Sequence, residues 1–330
     1  MIDINLPADT KAILLLCGYF GGKNRDVKPL SLAEYNKLAA WMRREKLRPE
    51  DLLQRAGEER IDTFAQSKIT PDRVRALLGR GLELGFAIEE WSRQGVWVVS
   101  RGEDVYPGKL KRRLREAAPA LLYGIGDRSI LEASPTLGLV GSRDADEPAL
   151  DFTRQVAHRC AVEGITVVSG GAKGVDQASM FAALEEEGAV IAILAEGIAR
   201  PAVKKNYRTH IAEGRLVLVS PFHPKARWTT GNAMGRNKHI YGFSDWTLVV
   251  RTSTQGGTWN GALENLKKRW TPLLVCLDAF VPEGNRKLVA MGGIPLQPEA
   301  LRHSLSLLDH LQALTSTDPS GDGVRDLFSD

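Results

Sequence analysis

Cysteine is scarce in this sequence: three among 330 residues, with Cys17, Cys160 and Cys276 far apart and no CxxC pair or Cys/His ligand spacing. That excludes a disulfide framework and a zinc site from the expectations, and it suits a reducing compartment. Long hydrophobic runs are missing too. The longest apolar stretch near the start, Ala12 to Cys17, is far shorter than the roughly 20 residues a membrane-spanning helix needs. The opening residues Met1-Ile2-Asp3-Ile4-Asn5 carry an acid where a secretory leader carries cations, so no export signal is expected. The expected location is the cytoplasm, with no membrane partner, no metal and no cofactor. Acid is nearly absent from one long stretch. Between Glu196 and Asp245 the single acid Glu213 faces nine bases: Arg200, Lys204, Lys205, Arg208, Arg215, Lys225, Arg227, Arg236 and Lys238.

What is present reads as a globular chain. Hydrophobic content of 43% and charged content of 25% suffice for a buried core under a polar surface, and the length suits two domains. The net charge of +4 is small, but its distribution is uneven. A second basic run, Lys109 to Arg115, adds to the acid-poor stretch, and two such runs beside glycine-rich loops point to a polyanion partner.

The first ninety residues read as helices near Asp9–Tyr19, Ser31–Arg44 and Thr70–Ser92, with Leu38, Trp41 and Met42 on one face of the second. Ser31 three residues before Glu34 suits a capping box, and Thr70-Pro71 places proline at a helix start. From Gly95 short β-rich runs alternate with amphipathic helices. The expected strands are Val96–Ser100, Ala120–Tyr123, Thr136–Val140, Thr166–Ser169, Val190–Leu194, Leu216–Val219, Trp246–Val250 and Leu273–Leu277. The helices between them fall near Ala149–Glu163, Val175–Glu187, Lys205–Glu213, Gly231–Phe243 and Trp259–Arg269. This alternation predicts an α/β fold with a mainly parallel sheet and helices on both faces, of Rossmann-like type, preceded by a small helical domain. The expected division is 1–92 helical, 93–301 α/β, and 302–330 the end of a helix and a disordered acidic tail.

In such sheets ligands bind beyond the carboxyl ends of the strands, and four loops occupy that position. The first, Gly141-Ser142-Arg143, offers close backbone approach, a hydroxyl donor and a planar guanidinium fork for phosphate. The second, Ser169-Gly170-Gly171-Ala172-Lys173-Gly174, runs from a buried strand into a helix, so its backbone N–H groups and the helix dipole converge. It is neither a nucleoside-triphosphate P-loop nor a GxGxxG dinucleotide loop. Asp176 reads as a helix-start residue complementing the dipole. The third runs from Pro221 to Arg236-Asn237-Lys238, with His223 and Trp228 nearby, and suits a sugar–phosphate chain whose bases stack. The fourth contains Gly256-Gly257-Thr258 before a helix. Trp259 reads equally as a stacking platform or as core.

Taken together, these motifs resemble the DNA-processing protein A family (DprA, also called Smf) over roughly Asp104 to Leu277. Asp104-Val105-Tyr106-Pro107-Gly108-Lys109-Leu110 through Pro119 to Tyr123-Gly124-Ile125-Gly126-Asp127 is similar to the family's YPxxL … PxxLYxxGD lead-in. Gly141-Ser142-Arg143 is similar to its GSR motif, and Ser169-Gly170 to Gly174-Val175-Asp176 to its SGxAxGID motif. Lys205-Asn206 falls where the family has KN or EN, and Arg236-Asn237-Lys238 resembles its RNR/RNK. The resemblance implies a protein that binds single-stranded DNA and is not an enzyme, forms a homodimer, and works with a RecA-type recombinase in DNA processing, recombination or natural transformation. It places the DNA-contacting cations at Arg143, Lys173 and Arg236, with Lys204, Lys205 and Lys238 beside them. The helical start would correspond to the family's N-terminal SAM-like domain. The family's GSLxTA segment is replaced here by Gly256 to Glu264, and the 29 residues after Leu301 are too few for its winged-helix domain. The expectation is a divergent member, for which defence against foreign DNA, phage DNA included, is a compatible role.

The fourth loop also resembles the PGGxGTxxE signature of the LOG enzymes, nucleoside-monophosphate phosphoribohydrolases that share the fold. Glu264 would then be the catalytic acid or base beside Arg236, or the pocket would sense nucleotides. The spacing differs, because Gly257 and Thr258 are adjacent. A Ser142 nucleophile has no activating partner in the sequence, since none of His158, His210, His223, His239, His303 and His310 is placed beside it. The acidic tail Asp322 to Asp330 pairs Leu327 and Phe328 with acids, which reads as a frayed terminus or a peptide docking motif.

Overall fold

A computed structural model describes residues 6–20, 27–64 and 69–316. The elements begin with α1 (Ala8–Cys17), α2 (Leu32–Arg44), α3 (Arg55–Arg60), α4 (Pro71–Leu78), α5 (Gly81–Arg93), β1 (Trp97–Ser100), α6 (Gly108–Leu114) and β2 (Leu121–Ile125). They continue with β3 (Thr136–Val140), α7 (Glu147–Val162), β4 (Thr166–Ser169), α8 (Val175–Glu185), β5 (Val190–Ile193), α9 (Ala199–Ala202), α10 (Lys205–Ala212), β6 (Leu216–Ser220) and α11 (Thr230–Phe243). The remainder is β7 (Trp246–Val249), α12 (Gly256–Lys268), β8 (Leu273–Cys276), α13 (Glu283–Ala290), β9 (Ile294–Leu296), α14 (Pro298–His303) and α15 (Leu307–Ser316). These elements fall into two units: Met1–Glu132 with Ile191–Phe243, and Ala133–Val190 with Ser244–Asp330.

In the first unit, the signals read at Ser31 and Thr70 form as expected. The Ser31 amide donates to Glu34 Oε2 at 2.8 Å, while the Glu34 amide donates to Ser31 Oγ at 3.3 Å, closing the capping box. Arg73 donates to Glu34 Oε1 at 2.7 Å and ties α4 to α2. The single helix expected over Thr70–Ser92 is two, α4 and α5, broken around Gly79, Arg80 and Gly81. Two glycines in three residues remove too much helix propensity for one helix to pass through. Between α2 and α4 lie α3 and short 3-10 turns, where the sequence had suggested no element. Strand β1 pairs antiparallel with β2, and β2 antiparallel with β6, in the order β1-β2-β6-β5. Trp97 sits opposite Gly124, where a Cβ would fall 2.0 Å from the indole, so the glycine is what admits the ring.

The second unit is parallel throughout, in the order β4-β3-β7-β8-β9. Residues of β3, β4 and β8 are buried along their whole length, which matches the near-continuous apolar runs of a sheet covered on both faces. The short β9 was not anticipated: Pro295 interrupts it, and such a residue is tolerated at a sheet edge. Helix α15 closes the described chain. Glu163, the residue after α7, accepts from the Leu307 and Leu308 amides at 2.8 and 2.9 Å, so a side chain remote in sequence caps this helix. The tail expectations for residues after Ser316, the docking motif among them, lie outside the described residues.

Candidate nucleic-acid interface

Three of the four predicted loops meet in the second unit, at the carboxyl ends of the adjacent strands β4, β3 and β7. Their glycines are there for identifiable reasons. A Cβ at Gly141 would lie 2.5 Å from Val175 Cγ2, and one at Gly174 would lie 2.3 Å from the Ser142 carbonyl oxygen. Gly171, Gly174 and Gly256 also have φ of +71°, +78° and +90°, a region other residues rarely adopt. These glycines let the first turn press against the start of α8.

Hydrogen bonds lock the arrangement. The Ser142 amide donates to the Arg251 carbonyl at 2.8 Å, and the Val175 amide reaches the Ser142 carbonyl at 3.4 Å. Thr258 donates from Oγ1 to the Gly141 carbonyl at 3.0 Å, joining the fourth loop to the first. Ser169 is fully buried and donates its hydroxyl to the Leu139 carbonyl at 2.7 Å. Its role visible here is tying β4 to β3, and Gly170 is buried beside it.

The helix starts differ in a telling way. Helix α7 is capped by Asp146, whose Oδ1 accepts from the Ala149 amide at 3.2 Å. Helices α8 and α12 begin at Gly174 and Gln255 with no side-chain cap. The Val175 and Gln177 amides of α8 are taken by the Ser142 and Ala172 carbonyls, so what these termini offer an anion is the positive end of the helix dipole with no acidic cap set against it. Arg143 and Lys173 are exposed beside them. Asp176 is buried, and its carboxylate accepts from the Ala172 amide at 3.4 Å, as expected of a helix-start residue. Trp259 is 9% exposed and belongs to the core. Gly256, Gly257 and Thr258 form the first turn of α12 itself, which begins three residues earlier than the sequence suggested.

The remaining predicted residues belong to the first unit. Lys204, Lys205 and Asn206 are exposed at the start of α10. Helix α11 begins after Thr229, which accepts from the Asn232 amide at 3.0 Å. Asn237 and Lys238 are half-buried on it and Trp228 is exposed before it. Arg236, expected among the DNA-contacting cations, is 4% exposed on α11. His223 and His239 are both held neutral. Burial, aided by Lys225, lowers His223 to about 4, and burial, aided by Lys238 and Arg236, lowers His239 to about 3. In the basic run of α6, Lys109 is buried, so that run is only partly a solvent-facing charge.

Glu264, the acid of the hydrolase reading, is exposed on α12, eight residues past Gly256. That is about 12 Å of helical rise beyond the glycine turn, and no described feature directs it there. Among the described residues no group of three or more His, Cys, Asp or Glu is assembled for a metal. One contributor was missed in the sequence: Arg251, buried at the end of β7, donates to Asp278 at 2.8 Å while its carbonyl holds Ser142. An arginine directly after an apolar strand was the available signal.

The fold and these strand-end turns define an α/β protein of Rossmann-like class. The chain belongs to the DNA recombination-mediator protein A family, whose model matches residues 97–292. It is 25% identical over 206 residues to the DNA processing protein DprA of Bacillus subtilis, covering 61% of this chain and 68% of that protein. It is 27% identical over 226 residues to a putative DprA of Mycobacterium tuberculosis, covering 64% and 55%. In structure it is similar to DprA of Streptococcus pneumoniae, with a TM-score of 0.69 at 19% identity, covering 91% of this chain and 98% of that one. DNA processing protein A of Helicobacter pylori, solved for its single-stranded DNA binding mode, gives a TM-score of 0.54 at 19% identity, covering 67% and 96%.

Proposed function

We propose that this protein binds single-stranded DNA by its sugar–phosphate backbone, in DNA processing or recombination, and acts by binding rather than by a bond-making step. The observation that carries the reading is the meeting of two helix N-termini without side-chain caps, α8 and α12, at the Gly141 turn with exposed Arg143 and Lys173 alongside. Exposed cations and a helix dipole recognise phosphate without reading bases. Family membership and the single-stranded DNA bound by the Helicobacter pylori relative support the same reading. In the second unit we assign the contacts to Gly141, Ser142, Arg143, Gly171, Lys173, Gly174, Gly256, Gly257 and Thr258, with the buried Ser169 and Gly170 holding the strand end beneath. In the first unit the contacts are Lys204, Lys205, Asn206, Asn237 and Lys238. Arg236, being buried, is assigned to supporting α11.

The family resemblance extends the proposal to a homodimer, a RecA-type recombinase partner and the cytoplasm. Three free cysteines, two of them buried, and the lack of a helix long and apolar enough to cross a membrane among the described residues are in keeping with that compartment.

Fluorescence anisotropy with labelled single-stranded and duplex oligonucleotides tests the reading. Arg143→Ala and Lys173→Ala are each expected to weaken single-strand binding several-fold and to lower the slope against log salt by about 0.7 per lost phosphate contact. Unchanged affinity in both folded variants would remove the assigned contacts.

A further inference from the structure

The first unit contains a cavity of about 930 Å³, the size of a small-molecule site. Its floor is β2, including Tyr123. One wall follows α1 and carries Tyr19 and Phe20, and the other follows β6 and carries Phe222 and His223. Three cations, Lys28, Arg80 and Lys238, line it, and no described carboxylate does. Arg80 is held in place: its guanidinium lies 4.7 Å from the Phe20 ring centre, and Nε donates to the Leu77 carbonyl at 3.2 Å. Such a space selects an anion with a flat aromatic body.

Helix α11 turns a largely bare face to this cavity. Gly231, Asn232, Gly235, Lys238 and His239 recur at helical spacing along it. A Cβ added at Gly235 would meet nothing within 4 Å, and one at Gly231 would meet only Thr229 Oγ1 at 4.0 Å. Neither glycine has a positive φ. Gly242 on the same helix is different, since a Cβ there would meet Leu110 Cδ1 at 2.6 Å. Packing thus explains Gly242, while Gly231 and Gly235 weaken the helix and leave a bare backbone face open to a planar group. His223 adds a directed donor. Its Nδ1 accepts from the Lys225 amide at 3.1 Å, which leaves the proton of the neutral ring on Nε2.

We propose that this cavity binds a nucleoside phosphate, with the base against the aromatic walls and the bare glycine face of α11 and the phosphate served by Lys28, Arg80 and Lys238. The same chemistry is offered by a free mononucleotide and by one nucleotide of a bound strand. The cavity shares Lys238 with the strand-binding reading but not Arg143 or Lys173, so Gly235→Leu tests it while Arg143→Ala and Lys173→Ala test that reading.

Equilibrium dialysis of the full chain with deoxyadenosine 5′-monophosphate, and with inorganic phosphate in parallel, is the first arm. Anisotropy with a labelled oligodeoxythymidylate is the second. Gly235→Leu fills the bare face with a good helix former, and its fold is checked by circular dichroism and melting temperature. The wild type is expected to take up the mononucleotide well above inorganic phosphate, and Gly235→Leu to weaken that uptake at least tenfold without lowering the melting temperature. Phe222→Ala is expected to weaken it several-fold, and it decides the matter alone should Gly235→Leu fail to fold. If the wild type takes up no mononucleotide but both variants lose oligonucleotide affinity, the ligand is a nucleotide within a strand and the proposal holds. Wild-type binding by the folded variants in both arms overturns it. Measurable uptake of inorganic phosphate equal to that of the mononucleotide, or no binding in either arm, overturns it as well.

Discussion

At Gly174 two constraints coincide: a backbone φ of +78° and a Ser142 carbonyl oxygen 2.3 Å from where a Cβ would sit. Gly174→Ala is therefore expected to destabilise the fold by roughly 1–3 kcal/mol, read by urea denaturation, and to weaken DNA binding by moving the Gly141 turn. The neighbouring Lys173 carries no such constraint, so its removal is expected to affect binding without loss of stability. His223 makes a separate prediction about pH. Its folded-state value is depressed from 6.5 to about 4, mainly by burial. The neutral ring thus contributes stability that is complete above 6.5 and is lost as the pH falls through 6.5 toward 4. His223→Gln, which cannot take up this proton, is expected to show a shallower fall in melting temperature over that window. An unchanged slope would mean that the ring is not held neutral by the fold.

Among the elements, the strands with apolar residues on both faces were the most legible. Thr136–Val140 and Thr166–Ser169 form as read, because a short run of β-branched and apolar residues between turn residues has few alternatives. The misread elements are those whose determinants are not local. The break at Arg80 depends on two flanking glycines, and β9 is three residues long with a proline inside. Helix α15 draws its N-terminal partner from Glu163, over 140 residues earlier. Helix starts carry a testable contrast. Asp146 caps α7 and also lies 3.6 Å from the buried Arg251 guanidinium, whereas α8 and α12 have no side-chain cap. Asp146→Ala is expected to cost about 1 kcal/mol of stability through the lost cap, measured by chemical denaturation. Without that acid beside Arg251, single-strand affinity is expected to hold or rise.

For the molecule as a whole, the glycine turns of the candidate site were legible and their neighbours were not. Gly141, Gly171, Gly174 and Gly256 announce themselves because a glycine between a strand and a helix has a backbone reason to be there. Burial is a property of the folded chain, and no run of letters discloses it. Ser169 and Trp259 therefore proved to be interior, Arg236 is closed off inside its own unit, and Arg251 was passed over. The acid-poor stretch from Glu196 to Asp245 was legible as charge, but its role as a polyanion surface rests on which cations stay exposed: Lys204 and Lys205 do, while Arg236 does not. The most direct measurement is the affinity for a single-stranded oligonucleotide as a function of salt, with a duplex of the same length alongside. Phosphate neutralisation by the exposed cations and helix ends is expected to give a log–log slope of roughly −2 to −4 and tighter binding of the single strand. Absent binding, or binding indifferent to salt, would contradict the account.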